Sequence, residues 1–118
     1  MRIVIAISSA LLTLVAAEAT LAHAFLDHAE PRVGSSVATA PRQLSLWFTQ
    51  NLEPAFSTVE VQNSAGGRVD VGKPRIGANV MRVGLKPLPP GTYRVLWHAL
   101  SVDTHTTEGN FSFHVGSQ

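Results

Sequence analysis

The sequence contains no cysteine, which excludes a disulfide scaffold, a thiolate zinc site and a cysteine nucleophile. Charge is scarce. Asp, Glu, Lys and Arg make up 14% of the residues, and the formal net charge of +1 offers no basic field for nucleic acid or anionic lipid. No glycine-rich phosphate loop follows a strand pattern, which argues against a nucleotide ligand. Internal repeats, low-complexity runs and a convincing amphipathic helix are also missing. At 118 residues the chain has room for one domain and not two.

The hydrophobic share, 45% of the chain, is unevenly spread. Arg2 is followed by an uncharged run from Ile3 to Ala17, and the stretch closes on Glu18-Ala19-Thr20-Leu21-Ala22. A positive start, an apolar centre and small residues at the end form the layout of a secretory signal peptide. A run of this length, at about 1.5 Å per helical residue, falls short of a hydrocarbon core about 30 Å thick, so a membrane span is disfavoured. Cleavage after Ala22 would free His23 as the new N-terminus. Cleavage after Ala24 gives a cleaner small-x-small match and would free Phe25. The local chemistry leaves both open.

The remainder, residues 23–118, holds every glycine, every proline and all five histidines. Period-2 alternation recurs along it. The pattern predicts strands at Phe25–Glu30, Leu44–Thr49, Thr58–Gln62, Arg68–Val71, Val80–Leu85, Tyr93–Ala99 and Asn110–Val115. Asn63-Ser64-Ala65-Gly66-Gly67 predicts a hairpin turn joining the third to the fourth. About seven short strands with turn signals every 8–12 residues predict an all-β, two-sheet antiparallel sandwich with Greek-key connections.

Among the histidines, His28, His98 and His114 read as surface or hydrogen-bonded side chains on strands. The segment from Ser101 to Gly109 differs: it joins two strands and is polar throughout after Val102. In an extended backbone Asp103 and His105, two residues apart, project to the same side, so a carboxylate and an imidazole can converge. Alone, such a pair is weak evidence for a metal and reads first as a hydrogen-bonded loop. If His23 is the mature N-terminus, it adds two donors, the α-amine and its own Nδ1, which close a six-membered chelate ring on a metal. Three nitrogens and one oxygen suit tetragonal Cu(II); Ca²⁺ or Mg²⁺ would want more carboxylates, and a closed zinc site would prefer a tetrahedron. Ser101 lies too close in sequence to Asp103 and His105 to complete a hydrolytic relay.

These residues carry a family resemblance that extends over the whole mature chain. His23-Ala24-x-Leu26 after the leader, Glu30-Pro31, and Leu44-x-Leu46-x-Phe48 resemble the CopC family of periplasmic copper-resistance proteins. So do Leu88-Pro89-Pro90-Gly91-Thr92-Tyr93-x-Val95-x-Trp97 and Ser101-x-Asp103-x-His105-x-x-x-Gly109-x-Phe111-x-Phe113-x-Val115. The resemblance implies an immunoglobulin-like β-sandwich holding one Cu(II) through His23 (amine and imidazole), Asp103 and His105, and it favours cleavage after Ala22. Residues 1–22 are then the signal peptide and 23–118 the copper-binding domain. Thr104 stands where family members usually have glycine. Gln50 stands where an acidic residue often follows the strand, with Glu53 nearby. Met81 is the only methionine after the leader, in a strand where a core role is expected, so thioether ligands for Cu(I) are missing and a Cu(II) member is expected.

The expectation is therefore a periplasmic, monomeric, non-enzymatic protein that sequesters copper or passes it on. A CopD-like inner-membrane protein is the implied partner, and no membrane span remains once the leader is removed. Two other readings stand beside it. An N-terminal histidine with a second histidine on a β-sandwich also resembles the copper site of lytic polysaccharide monooxygenases, although residues 23–118 leave little room for a substrate surface. A metal-free sandwich for adhesion or assembly is the third, favoured if Phe25 were the first residue.

Overall fold

Strand after strand, the apolar member of each alternating pair turns inward. In the computed structural model, which describes residues 24–116, the chain forms eight strands and one 3-10 turn, Pro54–Phe56. They are β1 (Leu26–Glu30), β2 (Ser36–Val37), β3 (Gln43–Phe48), β4 (Thr58–Gln62), β5 (Asp70–Gly77), β6 (Val80–Leu85), β7 (Gly91–Leu100) and β8 (Thr106–Val115). One sheet has the order β1-β3-β6-β5 and the other β2-β8-β7-β4. All pairings are antiparallel except that of β2 with β8.

The core lies between the sheets. Leu44, Leu46 and Phe48 of β3 with Met81, Val83 and Leu85 of β6 face Val59 and Val61 of β4, Tyr93, Val95, Trp97 and Ala99 of β7, and Phe111, Phe113 and Val115 of β8, all buried. Such close-packed burial supplies the main driving force for folding in the absence of disulfides. Phe48 and Trp97 meet edge to face across the two sheets, with centroids 5.2 Å apart. Met81 is fully buried, as expected of a core residue. The expected all-β sandwich is present, and among the described residues no helix is long and apolar enough to cross a membrane.

Two expectations need correction. The turn at Asn63–Gly67 forms, with Gly67 N–H donating to Asn63 Oδ1 at 2.8 Å, but β4 and β5 do not continue as a hairpin. After a single bridge, Gln62 to Arg68, the chain crosses between sheets, and β5 pairs with β6. Val69 is the crossing point. Its N–H donates to Val61 O in one sheet at 2.8 Å, and its carbonyl accepts from Lys86 N–H beyond the other at 2.9 Å. The turn chemistry is local, whereas the choice of sheet is set by which edge is open. The second correction concerns β8, which begins at Thr106 rather than Asn110, so the loop after β7 spans only residues 101–105.

Asp70 secures the crossing. Its Oδ1 accepts from Val61 N–H at 2.9 Å, and its Oδ2 accepts from Arg68 Nη2 at 2.7 Å, with the side chain 3% exposed. Burial pushes this carboxyl's pKa upward, but the hydrogen bonds from Arg68 and Val61 outweigh it and hold the pKa below the usual carboxylate value. A depressed folded-state pKa contributes stability that is present above the unfolded value and lost as pH falls through the folded one. Asp70→Ala should therefore cost about 1.5 kcal/mol at neutral pH, by stranding the Val61 N–H. The gap from the parent protein should shrink below pH 4, as urea unfolding at both pH values would show. A gap of equal size at pH 3 would contradict the assignment.

Candidate metal centre

The β7–β8 connection is a tight turn, and this shape, rather than extended backbone, brings Asp103 and His105 together. Thr104 N–H donates to Ser101 O at 2.9 Å, Ser101 N–H donates to His105 O at 3.0 Å, and Thr104 takes a left-handed φ of 74°. The buried Ser101 hydroxyl hydrogen-bonds Asp103 Oδ1. Asp103 Oδ1 and His105 Nδ1 lie 3.3 Å apart. Nitrogen and oxygen donors bonded at about 2.0–2.1 Å to one ion, 90–110° apart, are separated by about 2.9–3.4 Å, so this spacing fits two neighbouring ligands.

The electrostatics suit a cation. The hydroxyl of Ser101 first, and His105 second, hold the Asp103 carboxyl below its ordinary pKa, so it is ionised at neutral pH. In the sequence Ser101 stands out only as a member of the family motif and as a residue too close to Asp103 and His105 to complete a relay. Its role here is to orient a carboxylate, and the signal was a serine two residues before an aspartate in a turn.

The strain at Thr104 is testable. A β-branched residue at φ 74° is disfavoured, and glycine reaches that region freely. Relief of about 1–2 kcal/mol, less the extra entropy that glycine loses on folding, predicts that Thr104→Gly stabilises the domain by roughly 0.5–1 kcal/mol. A lower midpoint in urea for the variant would refute this account of the loop.

His23 lies outside the described residues, but its neighbour does not. Ala24 is fully buried, and its carbonyl accepts from the Thr107 hydroxyl at 2.6 Å, two residues beyond His105. The chain thus enters the fold beside the Asp103–His105 pair. This clamp was not anticipated from sequence, because it joins residues 83 apart. Residues 49–53 pack against the same loop: Val102 N–H donates to Asn51 O at 3.0 Å, and Glu53 N–H donates to Leu100 O at 2.8 Å. Gln50 and Glu53 are half-buried there.

The other histidines go elsewhere. His28 stacks on Trp47 and pairs with Asp27 at 2.6 Å, His114 hydrogen-bonds Thr92, and His98 is exposed opposite Glu108. Among the described residues no three His, Asp or Glu side chains gather closely enough to hold an ion. Asp103 and His105 alone are a pair that needs further donors.

A family profile described as the CopC domain matches residues 26–116. The chain belongs to the CopC family. Copper resistance protein C of Escherichia coli is 35% identical over 105 residues, covering 80% of this chain and 82% of that protein. Copper transport protein CutJ of Bacillus subtilis (strain 168) is 36% identical over 101 residues, covering 82% of this chain. This chain spans only 19% of CutJ's length. Among solved structures, CopC from Methylosinus trichosporium OB3b superposes with a TM-score of 0.74 at 31% identity, covering 79% of this chain and 93% of that one. PcoC, a methionine-rich copper resistance protein from Escherichia coli, superposes with a TM-score of 0.70 at 36% identity, covering 80% and 99%. The CopC match takes in both sheets and the 101–105 turn, so the fold and the loop belong to one family unit.

Proposed function

We propose that the exported chain binds one Cu(II) ion at the end of the sandwich that carries the 101–105 turn, and serves copper resistance by sequestering the ion or handing it on. The ligands in this reading are the α-amine and Nδ1 of His23, a carboxylate oxygen of Asp103 and the imidazole of His105. The observation that carries it is the 3.3 Å approach of Asp103 Oδ1 to His105 Nδ1, beside the point where the N-terminal segment is clamped. The names of the relatives, copper resistance protein C and copper transport protein, support copper as the cargo.

The same reading makes residues 1–22 a signal peptide, the periplasm the destination, and a CopD-like inner-membrane protein a candidate recipient, with the domain acting as a binding protein and a monomer. It favours Cu(II) over Cu(I) because nitrogen and carboxylate donors prefer the harder ion and the one internal methionine, Met81, is sealed in the core. In this respect the chain differs from the methionine-rich PcoC.

Titrating the mature protein with Cu(II) under EPR, beside a form carrying one extra residue before His23, tests the amine ligand. The extended form should bind roughly tenfold or more weakly, a change of about 1.4 kcal/mol or greater. Equal affinity in the two forms would remove the amine from the site. Acidification should release the ion, because imidazole and amine must shed their protons to coordinate. An EPR signal unchanged to pH 3 would contradict the ligand set.

A further inference from the structure

The charges of the described chain are sorted by end. Take as a midline the row through Leu46 and Met81 in one sheet and that through Leu96 and Asn110 in the other. On the side of the 101–105 turn lie Asp27, Glu53, Asp103 and Glu108, and no lysine or arginine. All eight lysines and arginines among the described residues lie on the other side, from Arg32 to Arg94, with Glu30 and Asp70, while Glu60 sits on the midline row opposite Leu96, 3.6 Å from Arg68. Arg82, one row beyond the midline, lays its guanidinium over the Trp47 ring, 5.8 Å from the centroid. A net charge of +1 therefore conceals an acidic pole and a basic pole.

The acidic pole is also apolar where it meets solvent. Of the five exposed large hydrophobic residues among those described, Phe25 (55% exposed), Phe56 (63%) and Val102 (52%) lie at this end. All three hang on one stretch of backbone, residues 49–56. Phe25 N–H donates to Thr49 Oγ1 at 3.0 Å, and Thr49 N–H donates to Phe25 O at 2.8 Å. Val102 N–H is held by Asn51 O, and Phe56 closes the 3-10 turn that starts from Glu53. Exposed aromatic residues grouped at one end of a small domain, among acidic groups and around a candidate cargo site, mark an interaction surface rather than scattered surface residues.

We propose that this pole is the docking surface for a second protein that presents an apolar patch ringed by lysine and arginine, seated over the Asp103–His105 pair. Charge complementarity selects that occupant. A second copy meeting acidic pole to acidic pole would set carboxylates against carboxylates, and an anionic bilayer would be repelled. A copy meeting it with its basic pole would bring, among the described residues, only Val33 and Val71 as exposed large apolar groups and no aromatic anchor. A divalent ion held at the site would leave the pole net negative, so the attraction persists in the loaded protein. The proposal deepens the copper reading, since a partner seated there would cover the cargo, but the docking can be measured without metal.

The test uses ¹⁵N-labelled mature protein without added metal, titrated with a soluble amphipathic peptide of leucine and lysine, and in parallel with its leucine and glutamate counterpart. Amide shifts should concentrate at residues 25, 49–57 and 101–108 with the lysine peptide, weaken as salt is raised, and be absent with the glutamate peptide. The double variant Phe56→Ser/Val102→Ser, both at exposed positions, should bind the lysine peptide roughly tenfold more weakly, as expected when an anchoring side chain is removed from an interface. Shifts centred on the Arg32–Lys86 end, equal responses to the two peptides, or an unchanged affinity in the double variant would overturn the proposal. Cu(II) titration of the parent protein separates the two claims. Normal copper binding without docking sinks the surface alone, and docking without copper binding sinks the cargo assignment alone.

Discussion

Gly109→Ala should lower the stability of the domain by about 2–3 kcal/mol, the range in which core overpacking falls. For a domain of this size that is a drop of roughly 10–20 °C in Tm. Gly109 sits opposite Trp97 in the β7–β8 ladder, and the indole lies across it. A Cβ at this position would come 2.5 Å from Cζ2 and 2.8 Å from Cε2 of Trp97, well inside van der Waals contact. The ring has no easy retreat, being buried and packed edge-on against Phe48 from the facing sheet. Displacing it would open the seam between the sheets. Differential scanning calorimetry decides the matter: a Tm within 2 °C of the parent would mean that the indole can shift freely and that the seam is softer than described. Tryptophan fluorescence would report the displacement directly, since Trp47 lies on the outer face, away from the substitution.

His105→Ala should weaken Cu(II) binding at least about 100-fold while leaving Tm nearly unchanged. Loss of an outer-shell partner typically costs 10–100-fold in metal affinity, so loss of a direct ligand should cost more. The imidazole is half-buried at the edge of the fold, in a turn held largely by backbone bonds and by Ser101, so its removal takes little from the core. His98→Ala and His114→Ala serve as controls, because neither side chain reaches the Asp103–His105 pair; both should bind copper as the parent does. Competition titration with a chelator of known affinity gives the measurement. Equal binding in the parent and the His105 variant would remove the turn from the site altogether, and a loss in His98→Ala would move the site to the outer face of β7.

The strand alternation was legible because a sheet residue's facing is a local property: Leu44, Leu46 and Phe48, or Phe111, Phe113 and Val115, declare an inward face by spacing alone. The turn at Asn63–Gly67 was legible for the same reason, through an asparagine side chain that caps its own turn. The partners of β4 and β5 were not. Nothing near Val69 says that its two backbone groups bond into different sheets, because that depends on β6 and β7, residues away in sequence. The polar stretch Thr106–Asn110 looked like loop because its side chains face solvent on one side and the glycine under Trp97 on the other, which hides the alternation.

The candidate site divides in the same way. The convergence of Asp103 and His105 was expected from their spacing, but the means was not: a left-handed Thr104 and a buried Ser101 hydroxyl, rather than extended backbone, set the 3.3 Å approach. By itself the sequence determined the alternating core strands, the leader-like start, the absence of thiols, and a carboxylate and imidazole two residues apart. Tertiary structure alone decided which strands share a sheet, that Ala24 is tied to Thr107, and that a chain of near-zero net charge gathers four acidic groups, no lysine or arginine, and exposed aromatic residues at one end of its described part. The physical reason is that facing and turn type follow from neighbouring residues, whereas pairing and charge placement follow from contacts closed across the length of the chain.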